Sequence, residues 1–127
     1  MTPEGASETL RVAFNHPIKM IVNALGMPPK EMVDMAKERN VLVGALVGAK
    51  KHAINQVNAG VDVLIVAGGE AGGHCGEVST MVLIPEVYNA VKHMKDVSIL
   101  AAGGIATGSQ MAAAMAMGAA GAWCGSV

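Results

Sequence analysis

Short apolar runs rich in β-branched residues alternate with stretches of helical spacing along most of this chain. Ile18 to Leu25, Val41 to Val47, Val61 to Val66, Val97 to Ala102 and Gly121 to Gly125 read as five strands. Between the first two, Pro28 and Pro29 suit a helix start, where proline loses no needed hydrogen bond. Met32, Val33, Met35 and Ala36 then recur at helical spacing, with Lys37 and Arg39 near the end to complement the dipole. Lys50 to Asn58 and Val82 to Met94, with Pro85 in its first turn, read as further helices. Thr107 and Gln110 have capping-box spacing and open a last helix, which runs to Met117. Before the first strand stands only a short, weak helical segment, Glu8 to Phe14. Strands separated by helices mean right-handed βα units and a parallel sheet, so the fold class is α/β. The strands are nearly continuous in apolar residues, as expected under covering helices. The joint Ala59-Gly60-Val61-Asp62 recurs as Met117-Gly118-Ala119-Ala120, each time leading from helix into strand.

The 127 residues allow about one domain. Five strands could form a flat, doubly wound sheet. A closed (β/α)8 barrel needs about 200 residues or more. The chain ends on a strand with no helix after it, which leaves a sheet face bare. It is therefore expected to be a piece of something longer, with residues 1–17 as a lead-in and 18–127 as the parallel βα region. At 52% hydrophobic and 15% charged, the chain does not have a disordered composition. A net charge of −1 argues against nucleic acid as partner, since that needs a basic field. One Phe, one Trp and one Tyr make no base-stacking platform. Cys75 and Cys124 form no CxxC, so neither a disulfide framework nor a zinc ribbon is indicated. Both read as small, buried or partly buried thiols. The first fifteen residues lack a signal-peptide core, and a cytoplasmic, reducing compartment is the expectation. Ser98 to Val127 carries no charge, but Gly103, Gly104, Thr107, Gly108, Ser109 and Gln110 interrupt it, so no membrane span is expected.

The densest chemical signal is Gly68-Gly69-Glu70-Ala71-Gly72-Gly73-His74-Cys75-Gly76-Glu77, directly after the third strand. Ligands of parallel α/β proteins bind at the carboxyl ends of strands. Glycines there let backbone N–H groups approach an anion. His74 is the titratable ring in this loop. Little packs around such a residue, which favours a functional role over a bland solvated one. Gly103-Gly104 follows the fourth strand and Gly125-Ser126 ends the fifth. Adjacent strand ends carrying Gly-Gly and Gly-Ser fit a phosphate site, although either turn alone could be an ordinary βα connection. No GxGxxG and no Walker A loop occur, and Glu70, His74, Cys75 and Glu77 match no standard metal-ligand spacing, so no metal is expected. His16, His52 and His93 read as solvated surface, and the Met111, Met115, Met117 face as packing.

Four blocks together resemble the nitronate monooxygenase family, also called 2-nitropropane dioxygenase. They are Gly-Gly-Glu-Ala-Gly-Gly-His-Cys-Gly at 68–76, Leu83-Ile84-Pro85-Glu86-Val87, Leu100 to Gly108, and Met117 to Ser126. The similarity runs from about Ile18 to the end. The pairing of the first and third blocks is specific to this family and its relative, the flavin-dependent enoyl-ACP reductase.

The resemblance implies an FMN-dependent (β/α)8 barrel, with the five strands here as its fourth to eighth. It implies His74 as the catalytic histidine. It implies that Gly103, Gly104, Gly125 and Ser126 hold the FMN phosphate, and that the backbone of Gly72 and Gly73 lies near flavin and substrate. Asn23 falls where the family places a polar or ring residue facing the flavin. The implied reaction is oxidation of an alkyl nitronate or nitroalkane by O2 to a carbonyl compound and nitrite. His74 would serve as base for a neutral nitroalkane or, protonated, as partner for the nitronate charge. Imidazole gains and loses its proton near neutral pH, which suits either task. Two alternatives stand beside this: an NAD(P)H-using enoyl reductase on the same barrel, and an inert phosphate- or FMN-binding half-barrel. Open sheet edges would favour a homo-oligomer. Ala67 departs from the family, which usually has Gln there, and the first three βα units are missing.

Overall fold

The computed structural model describes residues 2–126. Helices and strands alternate in the order α1 (Pro3–Phe14), β1 (Met20–Asn23), α2 (Lys30–Glu38), β2 (Leu42–Val47), α3 (Lys50–Asn58), β3 (Val63–Ala67), α4 (Thr80–Val91), β4 (Ser98–Ala102), α5 (Gly108–Ala116) and β5 (Gly121–Trp123). The five strands form one parallel sheet in the order β1-β2-β3-β4-β5. Each strand lies beside its predecessor, so the order never reverses. That rules out the doubly wound alternative, which needs a switch point. Right-handed crossovers that always step the same way put every helix on one face. This is the construction of a (β/α)8 barrel, of which the chain supplies five strands.

Strand periodicity divides the apolar residues between two layers. Val43, Ala45, Val47, Leu64, Val66, Ile99 and Ala101 point toward the helices and form the main core with Val33, Val57, Leu83, Ile84 and Val87. The alternate residues form a smaller cluster on the concave face, where Val63, Ile65 and Ala102 meet Met20, Val22, Leu46, Ala67 and Leu100. That face corresponds to the interior of a barrel.

Three helices end in the same way. After α3, Gly60 takes φ +96°, the Gly60 N–H donates to the Val57 carbonyl, and the Val61 N–H donates to the Gln56 carbonyl. After α5, Gly118, Ala119, Met115 and Ala114 repeat the pattern. After α2, Asn40 takes the left-handed position at φ 55°, with bonds from Asn40 to Lys37 and from Val41 to Ala36. All three are Schellman caps, which satisfy the last carbonyls and turn the chain into the next strand.

Several expectations need correction. The amino-terminal helix is not short: α1 spans 12 residues, because Thr2 caps it by accepting from the Gly5 N–H and Pro3 occupies the first turn. It is docked by Ser7, whose hydroxyl donates to Glu31 at 2.6 Å, and by Leu10 and Phe14, which pack against the core. Helix α4 starts at Thr80, so Pro85 lies inside it, beyond the first turn. Strand β5 stops at Trp123 rather than Gly125. On α5, Met111 and Met115 are exposed and only Met117 packs on the core; Ala114 is the helix's buried residue. Both cysteines are exposed, not buried. Cys75 stands on the loop after β3 and Cys124 just beyond the end of β5. No helix of the described residues is long and apolar enough to cross a membrane.

Candidate functional site

The carboxyl ends of the strands carry every residue expected to form the site. The loop between β3 and α4 crosses this end of the sheet. On one side it abuts the turn after β4. A Cβ at Gly103 (φ +106°) would stand 2.7 Å from the Thr80 hydroxyl and 3.1 Å from the Ala71 nitrogen; one at Gly104 (φ +73°) would stand 3.2 Å from Glu70 Cβ. Only glycine fits such a turn, both for its backbone angle and for the close approach. On the other side, Gly76 reaches the turn after β2, where its Cβ would stand 3.0 Å from the Gly48 carbonyl oxygen. His74 and Cys75 lie in the span between, and both are exposed.

The loop is pinned by Glu70. Its carboxylate accepts from the Thr80 N–H at 2.9 Å and from the Thr80 hydroxyl at 2.5 Å. These bonds to the charged form hold the Glu70 carboxyl below its ordinary value. The same hydroxyl lies 2.9 Å from the Gly103 carbonyl. Its single proton goes to Glu70; the loop is tied to the end of β4 by the Gly68 N–H, which donates to the Ala102 carbonyl at 3.1 Å. Cys75 Sγ lies 3.5 Å from the carbonyls of Gly69 and Ala71, so the thiol serves as a weak donor within the loop.

The ends of β4 and β5 lie side by side, with Ala102 opposite Trp123. Among the described residues, the backbone N–H groups of Gly103, Gly104, Gly125 and Ser126 meet no backbone acceptor. Nothing would touch a Cβ at Gly72, Gly73 or Gly125 within 4 Å. Helix α5 begins beside this turn, its first turn held by the reciprocal Thr107–Gln110 capping box. Free N–H groups, open glycine backbone and a helix start are the donor set an anion such as a phosphate needs. The residues present therefore fit the FMN phosphate.

A cavity of about 550 Å³ opens at the other half of the sheet, over β1, β2 and β3. Residues 24–27, 46–49, Ala67 and 74–76 line it together with His52, Asn55 and Gln56 of α3. His74 belongs to this cavity, whereas Gly103, Gly104, Gly125 and Ser126 do not. Asn23 sits at the end of β1, and its amide nitrogen donates to the carbonyls of Leu25 at 3.1 Å and Gly26 at 2.9 Å. That amide nitrogen holds the β1–α2 loop, and Asn23 does not line the cavity. The α3 residues were not anticipated. His52 is exposed as expected, yet it also stands in the cavity wall. Spacings of three and four put 52, 55 and 56 on one helix face, but a polar face ordinarily marks the solvent side.

A family model described as nitronate monooxygenase matches residues 2–127. A protein of Mycobacterium tuberculosis named as a monooxygenase is 53% identical over 127 residues, which cover 100% of this chain and 33% of the relative. Nitroalkane oxidase from Streptomyces ansochromogenes superposes with a TM-score of 0.85 at 29% identity, covering 95% of this chain and 37% of that one. FabK from Thermotoga maritima gives a TM-score of 0.82 at 33% identity, covering 96% and 37%. The chain thus spans about a third of the length of these three proteins.

Proposed function

Because this chain belongs to the nitronate monooxygenase family, we propose that the whole protein binds FMN and oxidises alkyl nitronates or nitroalkanes with O2 to a carbonyl compound and nitrite. In this reading residues 18–127 are the fourth to eighth strands of the barrel with their helices, and residues 1–17 lead into them. FMN, when bound, supplies the redox chemistry, and the protein supplies binding and orientation. Gly103, Gly104, Gly125 and Ser126 hold the phosphate through backbone N–H groups and the Ser126 hydroxyl. Gly72 and Gly73 leave room for flavin and substrate at the centre of the site.

One observation carries the reading. The loop that abuts the Gly103–Gly104 turn also presents His74 to the cavity. A phosphate-binding end and a substrate-sized space are thereby joined by a loop that bears an imidazole. His74 takes the α-proton of a neutral nitroalkane at a ring nitrogen or, when protonated, faces the negative charge of a nitronate. The test is His74→Asn in the whole flavin-loaded protein. Nitrite release from nitroethane should disappear while flavin stays bound. Loss of flavin in that variant would make His74 structural and overturn the assignment.

The likeness to FabK favours a second reading, an enoyl reductase using NAD(P)H on the same barrel. Oxygen uptake with ethyl nitronate in the absence of NAD(P)H separates the two. Uptake supports the nitronate reading; dependence on NAD(P)H supports the reductase.

A further inference from the structure

Trp123 is the single tryptophan of the chain and stands on β5, at one edge of the sheet. Successive side chains of a strand alternate faces, and laterally paired residues share one. Trp123 pairs with Ala102 and Gly121 with Leu100. A Cβ at Gly121 would stand 3.6 Å from Leu100 Cδ2. Leu100 and Ala102 belong to the concave cluster, so Trp123 projects from the concave face and not toward the helices. It is 41% exposed there, whereas Ala102 is 6% exposed.

The level of the sheet to which it belongs differs from the one beneath. Leu46, Ile65 and Leu100 are laterally paired and make an apolar floor. Two residues nearer the carboxyl ends, the paired residues are Ala67, Ala102 and Trp123. Two methyl side chains stand beside one indole, which is therefore the large apolar surface of this level. At one side Ala102 leads directly into Gly103 and Gly104, and Gly125 follows Trp123 after one residue, a distance of about 7 Å along an extended chain. At the other side Ala67 lines the cavity that His74 also lines. The level thus runs from the phosphate turn to the cavity. An aromatic surface left in water gains from a flat apolar partner, and paired rings attract beyond the area they bury.

We infer that Trp123 is a contact for the ring system of FMN, and that its indole fixes where the ring lies between the phosphate turn and the His74 cavity. The inference rests on the proposed FMN site and deepens it. The backbone N–H groups at 103, 104, 125 and 126 recognise any phosphate ester, and Trp123 selects the one that carries a flat ring.

The test separates ring from phosphate and needs no turnover. The full isotope-labelled chain is titrated with FMN and with ribitol 5-phosphate, which keeps the tether and the phosphate but lacks the ring. Nuclear magnetic resonance follows the Trp123 indole N–H, a single signal, and the amides of Gly103 and Gly104. FMN should move all three signals, and ribitol 5-phosphate only the two amides. Trp123→Leu should weaken FMN binding about tenfold and leave ribitol 5-phosphate unaffected, and Trp123→Phe should recover most of the loss. Amides that move with FMN while the indole stays, or equal FMN affinity in Trp123→Leu, would overturn the inference and leave the phosphate site standing; the indole would then be packing for the rest of a barrel. Should neither ligand move the amides, flavin retention by the whole protein decides. Retention reduced in Trp123→Leu and recovered in Trp123→Phe supports the inference, and equal retention overturns it. A whole protein that binds no flavin overturns both readings.

Discussion

The Glu70 carboxylate and Thr80 meet twice, through the Thr80 N–H at 2.9 Å and its hydroxyl at 2.5 Å. A loop with five glycines between 68 and 76 has little reason of its own to hold one shape. This pair ties it to the start of α4, and the Gly68 N–H, donating to the Ala102 carbonyl at 3.1 Å, ties it to the end of β4 beside Gly103. The loop that carries His74 is thereby anchored to the turn expected to hold phosphate.

That anchor has a pH dependence. The folded-state value of Glu70 lies below the ordinary 4.5, so its contribution to stability is present above 4.5 and lost as pH falls through the lower folded value. Urea unfolding should show Glu70→Gln less stable than the unaltered chain at neutral pH, and the gap should close in acid. A gap of the same size at all pH values would mean that the charge of Glu70 is not what pins the loop. Thr80→Val, which keeps the shape but loses the hydroxyl, should cost about 1 kcal/mol in the same measurement.

The three Schellman caps predict unequal tolerance of one substitution. Asn40 already occupies the left-handed position after α2. Gly60 has room for a side chain, with Val33 Cγ1 3.5 Å from the position of a Cβ. Gly60→Asn should therefore cost about 1 kcal/mol or less. At Gly118 a Cβ would run into the Tyr88 ring, so Gly118→Asn should cost about 2 kcal/mol or more. Equal losses in thermal or urea unfolding would contradict the packing given for Tyr88.

Gly103→Ala should hurt both the fold and the site. Alanine at φ +106° is strained, and its Cβ would press on the Thr80 hydroxyl. A loss of about 2 kcal/mol in stability is expected, together with weaker FMN retention at a temperature where the variant is still folded. Unchanged retention in the folded variant would remove this turn from the phosphate site.

The architecture was legible because it rests on strong local signals. Apolar β-branched runs, Gly60 and Gly118 at the helix ends and the Thr107–Gln110 box each point to the same βα alternation, and the structure keeps all of them. Helix α3 falls on the residues read from the sequence, Lys50–Asn58. What failed was local exposure. Cys75, Cys124, Met111 and Met115 have the chemistry of buried residues, but their exposure depends on what lies over the rim and over α5. Asn40 hid the third cap because asparagine enters the left-handed region less often than glycine. The His74 loop and the two glycine turns were visible as composition at strand ends. Gln56 was not: glutamine in a helix ordinarily faces water, whereas here it is buried and its Nε2 donates to the Gly26 carbonyl of the β1–α2 loop.

The most direct test is flavin retention by the 127-residue chain itself. The purified chain is mixed with FMN, desalted, and its visible absorption recorded beside that of Gly103→Ala. Retained flavin absorption in the unaltered chain, reduced in the variant, is the predicted result. Equal flavin absorption in the two folded chains would contradict the assignment of Gly103, Gly104, Gly125 and Ser126 as a phosphate site, whereas a colourless unaltered chain would mean that the missing strands are required.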